Sequence, residues 1–501
     1  MIESRAESPS SSSRDLEMKG EVQHYESEEQ QYTPQEVDYI LQRHGTLQLD
    51  PMPTNSEKDP LNWPELKKNY HLTLVGTQAM MTTFMAAGLV PAYETMAEEY
   101  GHPVHDISYL TSVQILIFGL FPSFWMPIMS KFGRRPVLTL GVLVATACNI
   151  GGGFCKTYGQ QMATRVILSF FMCPALPVGT AVVAEVCFSH QRGSRNGLWA
   201  VLLTLGTPLG PFIMGFVQQH AGTHWVYWVF AIVNFIQFLG WLAADETLYL
   251  RGEDEGKGIR HWFGMITKTN YKFTLESFIA PLRLGSNYRV LVAAISHAIV
   301  FCYANIVLVV EMPEVFGKKF KLDAQQTGLQ FIAIILGSLI GEIMSGTISD
   351  WWMNRRIKQR GGVKLIEDRL WMAYSGYILV IIGLIVWGTM LVQATDGEWT
   401  VKPLVGAAFA AAGNQVVTTP LITFAVDDNH KKAVEAGLFI NIVRQIWAFI
   451  GPFYFPPMFN SLGFDKAAAV MVCIVAAVGA FPVIAVHIIG VKRLKKNDVH
   501  Q

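Results

Sequence analysis

The sequence predicts an all-α membrane protein: two six-helix bundles, twelve transmembrane helices in all, related by pseudo-two-fold symmetry. Three observations point there. Hydrophobic residues make up 51% of the 501 residues and charged residues only 16%. A soluble domain carries about 25% charged residues, so much of this surface does not face water. Twelve stretches reach the roughly 20 mostly apolar residues needed to cross a hydrocarbon core. The two halves of the chain also echo each other. Stretches such as 470–479 are apolar on every face, as a lipid-buried helix is and an alternating barrel strand is not.

Residues 1–69 are polar, contain a serine run at 10–13 and lack an apolar signal core. They read as a disordered cytoplasmic tail. The first bundle, 70–245, holds spans near 70–92, 107–129, 137–155, 161–183, 197–219 and 223–244. A polar cytoplasmic linker, 246–288, follows. The second bundle, 289–490, holds spans near 289–312, 326–349, 370–392, 401–425, 434–459 and 467–490, and 491–501 form a short cytoplasmic tail.

Charge placement sets the expected orientation, because cytoplasmic loops keep an excess of Lys and Arg. Lys67 and Lys68 precede span one; Lys131, Arg134 and Arg135 follow span two; Arg192 and Arg195 follow span four. The linker, the loop after span eight (Arg355, Arg356, Lys358, Arg360, Lys364, Arg369) and the chain end continue the pattern. The opposite loops hold only Lys156, Lys318, Lys319, Lys321, Lys402 and Lys466. Both termini are therefore expected in the cytoplasm, with Arg165 and Arg444 left inside the membrane. The formal net charge is zero, which offers no field for nucleic acid. The six cysteines lie in or beside apolar segments without CxxC spacing, against a disulfide framework or a zinc site. No P-loop, GxSxG or HExxH pattern is present, which excludes direct ATP fuel and the common hydrolase motifs. No cofactor or metal is expected; the lipid bilayer is the partner these observations imply, with the chain a monomer.

The repeat is specific. Ser130-Lys131-Phe132-Gly133-Arg134-Arg135-Pro136 follows span two; Gly346-Thr347-Ile348-Ser349-Asp350 closes span eight, ahead of Arg355 and Arg356. Glu185 ends span four, and Asp427 and Asp428 end span ten; Gly210-Pro211 in span five is matched by Gly451-Pro452 in span eleven. Repeated six-helix halves place a binding site between them near the midplane.

These residues resemble the major facilitator superfamily, in its fungal drug:proton antiporter branch with twelve spans, over roughly residues 59–490. The loop at 131–136 is similar to the family signature between spans two and three, although Met126 and Ser130 stand where the pattern has Gly and Asp. The second half keeps Gly346 and Asp350. Span five reads Gly197, Gly206, Gly210-Pro211 and Gly215, the spacing of the antiporter signature with Met214 replacing one glycine. Arg165 matches the family's membrane arginine. Asp59-Pro60-Leu61-Asn62-Trp63-Pro64 looks like an entry motif of fungal members.

The resemblance implies a proton-coupled secondary transporter working by alternating access, exporting drugs or a fungal metabolite; uptake of an organic cation such as a polyamine is the alternative. The plasma membrane is the default location. Arg165, Glu342 and Glu311 are the candidates for proton coupling, since charges inside a membrane are costly and face partners or water. Asn305, Asn414, Gln415, Asn441, Arg444 and Gln445 form a candidate substrate cavity. Gly133, Arg134, Arg135, Glu185, Gly346 and Asp350 form a candidate cytoplasmic gate, which the resemblance implies latches the outward-facing state. His297 and His487 read as packed imidazoles.

Overall fold

A computed structural model describes residues 34–47, 49–249, 274–360, 365–429 and 432–498. Among these the regular structure is helical. Eleven helices are each long and apolar enough to cross a membrane, and one bent pair makes the twelfth. The first half contains α1 (Glu65–Tyr100), α2 (Val104–Leu120 with Pro122–Phe132), α3 (Arg134–Gly152), α4 (Tyr158–Val186), α5 (Ser189–Ala221) and α6 (Thr223–Ala243). The second contains α7 (Tyr288–Val310), α8 (Ala324–Gln359), α9 (Ile366–Gln393), α10 (Lys402–Asp428), α11 (Ala433–Leu462) and α12 (Phe464–Lys492). Counted as twelve crossings, these helices bring both ends of the described residues to one face, here termed the termini face; the other is the far face.

Proline and glycine set the bends. The two pieces of α2 meet at 50° where Pro122 removes a backbone donor. Helix α1 loosens at Gly88 to Pro91, and α4 at Cys173-Pro174. Gly133, with φ +102°, starts α3 in the left-handed region open to glycine. Helix α7 carries a π-helical stretch at Cys302–Ile306, followed by a second at Pro313–Gly317. Small residues let helices touch: Gly376 and Gly383 of α9 lie against Gly413 and Gly406 of α10.

The helices outrun the apolar windows where polar turns continue the hydrogen-bond ladder. Helix α5 begins at Ser189 rather than 197, and α8 runs on to Gln359. The expectation of a disordered tail is corrected for residues 34–69. A helix spans Pro34–His44, and Ile40, Asp59, Leu61 and Asn62 are buried. Polar side chains in and around the 59–64 motif satisfy local backbone groups, so the segment can pack. The Asp59 carboxylate accepts from Thr54 N (2.9 Å) and Leu61 N (3.1 Å). Asn62 Nδ2 donates to Thr54 O (2.6 Å) and Ser56 O (2.8 Å), and Arg43 donates to Asn62 O. The strap is tied to the start of α5, where Ser189 N donates to Asp50 O at 2.7 Å. Tail residues 1–33 and linker residues 250–273 lie outside the described residues. A short helix, Leu275–Arg283, leads into α7.

Candidate transport pathway between the halves

The far face is shut by contacts between the halves. A Cβ added to Gly215 of α5 would sit 2.7 Å from Ala324 O and 3.1 Å from Gly328 Cα of α8. His220 Nε2 is hydrogen-bonded to Gln325 Oε1 at 2.9 Å, and Tyr109 of α2 stacks on Phe453 of α11 at 4.5 Å. Just beyond α7, Glu311 is 4% exposed and its Oε1 has no hydrogen-bond partner. Tyr93 and Tyr109 of the first half lie within electrostatic range of it. The Tyr93 hydroxyl donates to Thr111 Oγ1 (2.6 Å), which donates to Ala86 O (2.8 Å).

Midway down, α11 meets α2. Asn441 Nδ2 donates to Phe118 O across the seam at 2.9 Å, and Gln445 packs on Gly119. Arg444 Nη2 donates to Asn441 Oδ1 at 2.7 Å, and its guanidinium lies 4.6 Å over the Phe301 ring of α7. Arg444 Nε, both His297 ring nitrogens, Asn305 Oδ1 and Asn414 Oδ1 are buried without partners. Gln415 is buried as well.

Toward the termini face the halves separate. The buried residues of α5 begin only at Gly206, and Gly197 and Gly346 have open space where a Cβ would stand. Glu342 is half-buried. It lies about four turns along α8 from Gly328, on nearly the same side of the helix, and so addresses this opening. An apolar groove of ≈ 710 Å³ between α8 and α10, lined by Leu329, Leu336, Trp399 and Val405, opens to the outside of the bundle and not to this pathway.

The charges of the termini face pair within their own halves. Arg134 donates to Glu185 Oε1 at 2.9 and 3.1 Å, and Thr247 donates to Glu185 Oε2 at 2.8 Å. Arg135 instead donates to the carbonyls of Trp241 and Leu242 (3.3 and 2.9 Å) at the end of α6. In the second half Arg289 pairs with Glu367 (2.5 Å) and Asp428 (2.9 Å), and Arg369 with Asp427 (3.1 Å). The side chain of Asp350 lies outside the described residues.

The Major Facilitator Superfamily model matches residues 75–452. The chain belongs to the major facilitator superfamily. It is similar to an uncharacterized MFS-type transporter of Schizosaccharomyces pombe, 22% identical over 94% of this chain and 92% of that protein. It is also similar to the efflux pump vrtL of Penicillium aethiopicum, 24% identical over 84% of this chain and 85% of that protein. In structure it resembles a bacterial homologue of the human lysosomal transporter Spinster, solved inward-facing and unoccupied. The TM-score is 0.61 at 12% identity, covering 84% of this chain and 98% of that one.

As a member of the superfamily the chain is a membrane transporter, and the sequence-predicted residues divide by position. Asn441, Arg444 and Gln445 come together at the α2–α11 seam. Glu311 stands at the closed far end, and Glu342 in the opening. Arg165 joins neither. It is 0% exposed among α3, α4 and α6: Nη2 donates to Asn149 Oδ1 at 3.0 Å, and the guanidinium lies 5.1 Å over the Tyr227 ring. Gly152 makes room for it, since a Cβ there would sit 2.9 Å from Nη2. In the antiporter helix, Gly206 and Gly210 seat α5 on α1, against Met80 O and Phe84 O, and Gly215 seats it on α8; Pro211 lies inside the helix.

Sequence reasoning missed Glu246. It follows α6 and accepts from Arg134 N (2.8 Å) and Arg135 N (2.9 Å), capping α3. It fills the place a Cβ at Gly133 would take. Burial pushes its carboxyl up to about 7, against the pull of the backbone N–H groups of Leu248, Arg134 and Arg135. The available signal was the pair of acids Asp245-Glu246 at a helix end, in a sequence that lacks the family's aspartate at position 130.

Proposed function

We propose that this transporter is a proton-coupled exporter of a small organic solute, such as a drug or a fungal metabolite. It works by alternating access, with both termini in the cytoplasm and the plasma membrane as its site. The observation that carries the reading is Glu311. Lys318, the cation within range of Glu311, pairs with Glu314 at 2.7 Å; an ionised carboxylate buried with no ion pair of its own costs far more than a carboxylic acid, so the closed far face favours a protonated Glu311. Opening that face withdraws Tyr93, Tyr109 and the α2–α11 stack and admits water, where the proton can exchange. A carboxyl whose solvent access follows the gate is what coupling requires. The span-five glycine spacing and the efflux pump among the relatives support the outward direction.

The test is flux in proteoliposomes under an imposed proton gradient, with a fluorescent panel of cationic, neutral and anionic solutes. Wild type should accumulate substrate against its gradient. Glu311→Gln should lose gradient-driven flux while keeping substrate exchange across equal pH. Wild-type flux indifferent to the proton gradient refutes coupling. A Gln variant that still concentrates substrate removes Glu311 from it.

A further inference from the structure

We infer that the transported solute is an organic anion, its carboxylate or similar acidic group held by Arg444 at the seam of the two halves. This rests on the exporter reading above and adds the substrate class. Arg444 stands midway along α11, between Asn441 and Gln445, both of which touch α2. Its plane is fixed by Phe301 at 4.6 Å and by the hydrogen bond to Asn441, which is itself anchored on Phe118 O. Nε is left buried and without a partner.

Among the described residues no carboxylate pairs with this guanidinium; its neighbour of ionisable type is His297, a base. A cation held inside a membrane without a counter-ion is costly and is kept where an anion completes it. A guanidinium with a fixed plane and an unpartnered Nε–H offers a charge-assisted hydrogen bond to a carboxylate oxygen. The rest of the pathway does not cancel the charge. Glu311 is closed in the far seam, Glu342 addresses the opening from α8, and Arg165 is enclosed within the first half. An organic cation entering beside Arg444 meets like charge and finds no carboxylate there to offset it.

The experiment uses the full-length protein in detergent with three matched probes: 1-naphthoate, 1-naphthamide and 1-naphthylmethylamine. Binding is read as the shift in unfolding temperature and as quenching of tryptophan fluorescence. The carboxylate should bind roughly 30-fold or more tighter than the amide, the scale for a buried charge pair, and the amine not at all. Arg444→Gln should erase the difference between carboxylate and amide. Arg444→Lys, which keeps the charge and loses the fork, should retain part of it. Equal binding of the amide, preference for the amine, or no shift with any probe overturns the inference, and these wild-type measurements stand even if a variant misfolds. Proteoliposome flux separates this claim from the exporter reading. Arg444-dependent naphthoate binding without gradient-driven flux sinks the exporter and spares the anion site; gradient-driven flux of the amine alone does the reverse.

Discussion

Placing a methyl group on Gly215 tests which contact holds the far face shut. The added Cβ would lie 2.7 Å from Ala324 O, about 0.7 Å inside ordinary van der Waals contact, and 3.1 Å from Gly328 Cα. The opposing atoms are backbone, so no side chain can rotate away. A Cβ at Gly328 would meet Pro211 O at 2.8 Å in the same way. Helices α5 and α8 must therefore part, and overpacking of this kind costs about 1–3 kcal/mol. That cost falls only on the conformation with the far face closed. At 1.4 kcal/mol per factor of ten, Gly215→Ala should shift the closed-to-open ratio about 5- to 140-fold toward open, and Gly215→Val further. The assay is disulfide trapping of cysteines at His220 and Gln325, whose side chains now touch across the seam, in a background lacking the six native cysteines. Trapping yield should fall from Gly to Ala to Val at constant surface expression, with transport falling alongside. A Val variant that traps and transports like its parent would refute the claim that this contact defines the closed state.

Two further perturbations address the termini face and the interior of the first half. The carboxyl of Glu246 is raised on folding, so the folded state binds its proton more tightly than the unfolded chain. Stability from this group is therefore full below about 4.5, falls as pH rises, and levels off above about 7. Glu246→Gln should flatten that slope in detergent melts between pH 4.5 and 8, by at most about 3 kcal/mol and less given its partial exposure; an unchanged slope contradicts the assignment. Arg165→Lys should lower the unfolding temperature through loss of the Asn149 bond and the Tyr227 contact, about 1–3 kcal/mol. A variant with the wild-type melt and no gradient-driven transport would instead return Arg165 to the coupling machinery.

The spans were legible because a hydrocarbon core admits little but long apolar windows, and loop charge punctuates them. What the windows do not carry is rotation. A helix apolar on every side has no periodicity to say which face meets which neighbour. Arg165 and Arg444 therefore looked alike in sequence, and only packing sends one into the first half and the other to the seam. Glu246 was illegible for a different reason: its partners lie more than 100 residues away, at the N–H groups of Arg134 and Arg135. The strap at 34–63 was missed because composition measures burial in lipid. Its order comes from Asp59 and Asn62 satisfying the turns around them, a local device that a low apolar content conceals.

The two faces are built from different interactions, and that difference bears on the cycle. At the termini face the pairs Arg134–Glu185 and Arg289–Glu367 each lie within one half. They stiffen each bundle without joining the two, so breaking the halves apart there costs none of them. The far face is joined instead by glycine contacts between backbones, by stacked rings and by the His220–Gln325 hydrogen bond, with Glu311 enclosed beside them. Such contacts are short-ranged: a gap of 0.5–1 Å already forfeits a quarter to a half of the dispersion well. A small rotation about the α2–α11 seam therefore releases the far face abruptly and leaves the interior of each half intact. That contrast supports the proposed alternating access, as rocking of two stiff bodies between discrete arrangements. If solute binds as proposed, Asn441 and Arg444 lie at that seam, where it would bias the rotation from either side.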